Sequence, residues 1–150
     1  MVIIGIGNPM RHDDGVGPAA IACLEATDHS LEGEPELICL DGEPTRLLDA
    51  WRGRRRAIIV DAAHSDKAAG FIHRVEVGRD PLPPWATGNS SHSAGLAEAV
   101  ALGTTLDRLP QQLIVFGVEP DDLSLGPGLS RAVAAALPVL IEQIVTEASR

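Results

Sequence analysis

Aromatic residues are almost missing from this chain, with two phenylalanines, two tryptophans and no tyrosine among 150 residues. Aliphatic side chains and alanine must therefore fill any core. Basic residues are also scarce: 12 Lys and Arg stand against 21 Asp and Glu, a net charge of −9. That balance opposes a nucleic-acid partner, which requires a basic face. The run Arg52, Arg54, Arg55, Arg56 is too local to reverse it and reads as a solvated loop before a buried strand. The only cysteines, Cys23 and Cys39, lie far apart in apolar contexts. They are expected to be buried thiols in a reducing compartment, with Cys23 on a core-facing helix, and neither a disulfide nor a CxxC site. No segment approaches roughly 18 uninterrupted apolar residues, so no membrane span is expected. The first residues show neither a charged n-region nor an apolar h-region, so no secretion signal is expected and the cytoplasm is the expected location. A GxSxG elbow, an HExxH helix and a cysteine beside a histidine are all missing, which removes the common signatures of serine, zinc and cysteine hydrolases.

What remains is strongly patterned. Apolar residues make up 45% of the chain, enough for a single globular domain over residues 1–150 that needs no staples. Strands and helices alternate along it. Val2–Ile6 reads as a strand, and Val16, Ala19, Ala20, Cys23 and Leu24 recur at helical spacing behind it, giving a helix from about Gly15 to Ala26. Glu36–Leu40 is a second strand, followed by a short helix to Trp51 behind Pro44. Ala57–Val60 is a continuous apolar run, read as a central strand. Phe71–Val77 alternates, and the short loop before it suits an antiparallel edge position. Pro81–Asn89 is an irregular loop, and the Ser90–Ser93 stretch opens a helix to about Leu102, closed by Gly103. Leu113–Val118 is the last central strand, and a C-terminal helix follows with an apolar stripe and a kink expected at Pro138. The fold class expected is α/β: a three-layer α/β/α sandwich around a mostly parallel, twisted five-stranded sheet with one antiparallel strand.

Such sheets place chemistry at the carboxyl ends of their strands. That edge should collect Asn8, Asp13 and Asp14 after the first strand, Asp41 after the second, Asp61 after the third and Glu119 after the last. His92, at a helix start, belongs to the same edge. The glycine-rich turn Gly5-Ile-Gly-Asn-Pro-Met-Arg-His-Asp-Asp-Gly-Val-Gly carries two adjacent carboxylates, the opposite of what a phosphate cradle wants, and a cation is the better guest. A dinucleotide site would in addition need a glycine where Met10 stands. Asp14, Asp61 and His92 make a workable ligand set for a divalent transition metal with open positions. Each also has a plainer reading. Asp13 or Asp14 could cap the following helix, with Asp13 the better candidate; Asp61 could close an Asx turn; Ser91 or Ser93 could cap a helix and leave His92 on the surface. Asp41 before Gly42 reads as a turn residue, and His64 is the one substitute ligand among the other histidines.

Gly5-Ile-Gly-Asn-Pro followed by Asp13-Asp14-Gly15-Val16-Gly17 resembles the N-terminal signature of the hydrogenase maturation proteases. The likeness continues through Ile59-Val60-Asp61-Ala62, Ser91-His92-Ser93-Ala94-Gly95-Leu96, Phe116-Gly117-Val118-Glu119-Pro120 and Leu125-Gly126-Pro127-Gly128-Leu129, nearly the whole chain in order. The resemblance implies an endopeptidase of aspartic or metallo type that removes the C-terminal extension of a [NiFe]-hydrogenase large-subunit precursor. It implies metal-binding residues at Asp14, Asp61 and His92, with aspartate where the family often has glutamate. The nickel is carried by the substrate, and another divalent metal such as zinc could bind the isolated protein. The implied partner is the precursor, with no nucleic acid or membrane, and a monomer is expected. Glu43-Pro44 departs from the small residue usual after Asp41-Gly42 and puts substrate contacts there in question. The alternative is a peptidyl-tRNA hydrolase-like esterase, which Gly5-Ile-Gly-Asn-Pro and Arg11-His12 also resemble, over the first twenty residues alone. The charge of −9 opposes that substrate.

Overall fold

Three strands of this chain are buried on both faces, and they form the middle of one sheet. A computed structural model describes residues 1–26, 31, 33–87 and 94–150. The strands are β1 (Val2–Ile6), β2 (Glu36–Leu40), β3 (Arg56–Ala62), β4 (Ile72–Glu76) and β5 (Gln112–Val118), and the helices α1 (Val16–Ala26), α2 (Pro44–Trp51), α3 (Ala94–Thr105) and α4 (Arg131–Ala148). The strand order is β2-β1-β3-β5-β4; all neighbours are parallel except β4, which pairs antiparallel with β5 at the edge, as the sequence leads one to expect. Continuous apolar runs mark the buried strands, because helices cover both faces of a parallel sheet.

Alternate residues of the central strands face opposite layers. Ile3, Ile58, Val60 and Phe116 pack with Ala20, Ile21 and Leu24 of α1 and Leu140 and Ile144 of α4. Val2, Ile4, Ile59 and Val115 pack with Leu47 and Trp51 of α2 and Leu96 and Ala99 of α3. The three-layer α/β/α architecture follows directly. Among the described residues no helix is long and apolar enough to cross a membrane.

Backbone approaches backbone closely where α1 begins. A methyl group at Gly17 would lie 2.3 Å from the Ile6 carbonyl oxygen and 2.7 Å from that of Val60, both backbone atoms. Only glycine lets the helix start against the ends of β1 and β3. Gly17→Ala should lower stability by about 1–3 kcal/mol through this overpacking. A urea unfolding midpoint equal to that of the wild type would show that the helix start can shift freely.

Several expectations are corrected. Strand β3 continues past Val60, and Asp61 and Ala62 pair with Gly117 and Val118 of β5, so Asp61 belongs to the ladder and does not close a turn after it. Helix α3 does not close at Gly103, against which the Leu109 side chain packs. It ends instead with Asp107 in the left-handed region (φ 54°), with Arg108 N–H donating to the Gly103 carbonyl at 2.8 Å and Asp107 N–H to that of Thr104 at 3.3 Å. This is a Schellman arrangement with aspartate in the place glycine usually takes. Helix α4 carries Pro138 inside it, as expected. Cys39 is exposed because β2 is an edge strand, and Cys23 is half-buried; the two form no disulfide.

Candidate active site

The turn after β1 is shaped by its own carboxylate. Gly7 has φ 137°, and a side chain there would run into the Asp14 carbonyl. From that conformation the Asn8 N–H donates to Asp14 Oδ2 at 2.8 Å, the Met10 N–H donates to Asn8 Oδ1 at 2.9 Å, and a 3-10 turn over His12–Gly15 leads into α1. Asp14 is thereby held half-buried at the carboxyl edge of the sheet. Asp61, 4% exposed, reaches the same edge from β3, and its Oδ1 accepts the Ala62 N–H at 2.8 Å. The two carboxyl groups line one cavity of about 240 Å³, together with Arg11, Asp41, Gly95 and Leu96.

The electrostatics follow from this placement. Burial pushes the Asp61 carboxyl well above its ordinary range, the negative charge of Asp14 pushes it further, and the Ala62 N–H only partly offsets both. Asp61 thus holds a proton more tightly than a surface aspartate does. Two carboxyl groups set apart in this way can divide acid and base roles, or can share a cation that relieves their repulsion.

The other strand-end groups separate. His92 lies outside the described residues. Asp41 is exposed and lines the cavity, but its Oδ2 also accepts from Arg46 Nη1 at 2.8 Å and its Oδ1 from the Glu43 N–H at 3.1 Å. Glu119 does not join the site: 1% exposed, it accepts from Ser65 Oγ at 3.0 Å and pairs with His73 Nε2 at 2.7 Å under the loop before β4. His64 is exposed and is not among the residues lining the cavity. Asp13 caps no helix. Fully buried, it accepts the N–H groups of Asp121 (2.8 Å) and Asp122 (2.9 Å) on one oxygen and that of Ser130 (2.7 Å) on the other. Burial raises its carboxyl, and these three N–H groups together bring it below the ordinary range.

Asp13 is one stitch of a longer seam. Arg11 bridges to Gly126 as a parallel β pair, Gly126 N–H donates to the Met10 carbonyl at 2.8 Å, and His12 N–H donates to that of Gly126 at 2.9 Å. His12 has φ 42°, its Nδ1 lies 3.0 Å from the Gly128 carbonyl, and its ring fills the space over Gly126. The residues that the sequence undervalued are therefore Arg11 and Asp41. Their signal was position alone: one precedes the acidic pair by two residues, and the other ends a strand parallel to β1.

A sequence profile described as hydrogenase maturation protease matches residues 22–147. The chain belongs to the hydrogenase maturation protease family. Its matched span contains Asp61 and His92, while Asp14 precedes it. Pairwise similarity reaches the N-terminal turn as well. The hydrogenase expression/formation protein HoxM of Cupriavidus necator is 27% identical, over 95% of this chain and 71% of its own length. The hydrogenase 2 maturation protease of Escherichia coli K12 is also 27% identical, over 97% of this chain and 88% of its own. Among solved structures, the hydrogenase maturating endopeptidase HybD from E. coli superposes with a TM-score of 0.79 at 25% identity, covering 97% of this chain and 90% of that one. A second E. coli endopeptidase, solved in solution, gives 0.82 at 25% identity, with 96% and 90% covered. The chain is thus a maturation endopeptidase by family and by fold. The peptidyl-tRNA hydrolase alternative finds no support in these similarities, and the His12 ring it would need is engaged with Gly128.

Proposed function

We propose that this endopeptidase removes the C-terminal extension of a [NiFe]-hydrogenase large-subunit precursor, and that it recognises nickel already seated in that precursor through Asp14, Asp61 and His92. The observation that carries the reading is the convergence of Asp14 and Asp61, from two different elements, on one cavity. Buried like charges are costly unless something positive stands between them. The carboxyl of Asp61, pushed up by its burial and by Asp14, fits a site meant for a cation. Oxygen donors with one imidazole suit a divalent transition metal. The chain's own acidity, −9 overall, suits docking to a protein better than to a polyanion.

The same residues would hold another divalent metal, such as zinc, in the isolated protein. A metal bound there would polarise the scissile carbonyl or lower the pKa of a water molecule. The chain's own part is separable. Asp14 is fixed by the Asn8 N–H and lines the cavity, where its carboxylate can act as an acceptor. Asp61 supplies a buried carboxyl that takes up and returns a proton within reach of the substrate.

Nickel dependence tests the reading. A precursor purified with nickel should be cleaved, and the same precursor from nickel-starved cells should be cut at least about a hundredfold more slowly. Equal cleavage of both would overturn nickel recognition, and cleavage of neither would overturn the assignment of substrate.

A further inference from the structure

The cavity has an excess of one kind of polar group. Asp14, Asp41 and Asp61 all line it, and a carboxylate, once ionised, can only accept hydrogen bonds. Hydrolysis of a peptide bond makes the opposite demand, because the carbonyl oxygen gains negative charge and must be met by donors. Among the described residues lining the cavity, Arg11 alone carries a positive charge. The residue is half-buried, and its guanidinium spends one donor, from Nη2 to the Leu123 carbonyl at 3.3 Å. A guanidinium has five N–H donors, so most of them remain unspent. It forms no ion pair within 4.0 Å with any carboxylate of the described residues, although three share its cavity. The seam explains why. The Arg11 backbone is pinned to Gly126 and the side chain to Leu123, so the residue that lines the cavity is tied to the seam and not to a carboxylate.

We infer that Arg11 is the electrophilic group of the reaction, donating to the carbonyl oxygen of the scissile peptide bond and stabilising the oxyanion that forms on it. This rests on the endopeptidase reading of the same cavity. In the step, a water oxygen bonds to the carbonyl carbon, one water proton passes to a cavity carboxylate, and the π pair of the C=O moves onto the oxygen facing Arg11. When that pair returns, the C–N bond breaks and the departing nitrogen takes the proton. Arg11 neither gains nor loses a proton at any point; it holds charge.

The test is steady-state cleavage of the nickel-loaded precursor by wild type, Arg11→Ala, Arg11→Gln and Arg11→Lys. The two neutral variants should lose about 10²–10³-fold in kcat, the range for removal of one oxyanion donor, with KM within about threefold of wild type. Arg11→Lys keeps the charge but not the planar fork, and should lose about tenfold. Millimolar guanidinium should restore part of the kcat of Arg11→Ala, a response that a merely structural role in holding Leu123 would not give. Neutral variants with wild-type kcat, a loss confined to KM, or no rescue by guanidinium would each overturn the assignment while the wild-type cleavage keeps the endopeptidase reading. If a neutral variant does not fold, the kcat of Arg11→Lys decides, and a value equal to wild type overturns it. If wild type itself cleaves no precursor, the endopeptidase reading falls and the role of Arg11 falls with it.

Discussion

Asp61→Asn should reduce cleavage of a nickel-loaded precursor by about 10³-fold or more, the scale on which removing a general acid–base group acts, and leave the fold intact. Asparagine has the shape of aspartate, and its oxygen can still accept the Ala62 N–H that Asp61 accepts at 2.8 Å. What it lacks is the charge and the exchangeable proton. The stability of this variant should move the other way. The Asp61 carboxyl is raised in the folded chain, by burial first and by Asp14 second. A group raised on folding binds protons better when native, so it stabilises fully below its unfolded value and progressively less as pH climbs towards its folded value. Above that window wild type carries the cost of a buried charge beside another, and Asp61→Asn does not. Urea midpoints should therefore coincide near pH 3 and separate in favour of the variant at neutral pH. A variant that cleaves normally, or that is less stable than wild type at neutral pH, would remove Asp61 from its assigned place.

Asp13→Ala should lower stability by about 3–5 kcal/mol. Three N–H groups, from Asp121, Asp122 and Ser130, lose one fully buried acceptor together. Charge-assisted bonds of this kind are stronger than neutral ones, and the cavity left by the buried carboxylate adds to their loss. The pH sign is opposite to that of Asp61. The Asp13 carboxyl, raised by burial but brought lower overall by the N–H groups, contributes stability above the unfolded carboxylate range. That contribution is lost as pH falls through the depressed folded value. Asp13→Asn should thus show a flatter decline in stability on acidification than wild type. Chemical unfolding between pH 2 and 7 would check this, and parallel curves would show that Asp13 is not the ionised anchor its geometry implies.

The contrast between these neighbours explains what could and could not be read from the residues. Apolar runs followed by acidic residues are a local pattern, and that pattern alone puts Asp14 and Asp61 on one edge. Asp13 was misread as a helix cap because its true partners lie 108 to 117 residues away, where no local pattern reaches. Glu119 failed for a similar reason: it follows a central strand, but Ser65 from the loop before β4 and His73 from β4 itself close over it. Gly103 misled because glycine usually ends a helix, whereas here it makes room for Leu109 and Asp107 takes the left-handed turn. The apolar neighbours of Cys39 point to burial, but β2 forms the edge of the sheet and leaves Cys39 exposed.

The seam between residues 10–13 and 121–130 has a consequence for exchange of parts among related chains. Its bonds run in both directions, backbone to backbone at Arg11 and Gly126 and side chain to backbone at Asp13 and His12. The wall of the cavity that bears Arg11 is therefore a composite, written in two passages more than a hundred residues apart. A chimaera that borrows the glycine-rich turn from a relative, without the Leu125–Leu129 stretch that interlocks with it, inherits half of a joint. The smallest portable unit of this site is the pair.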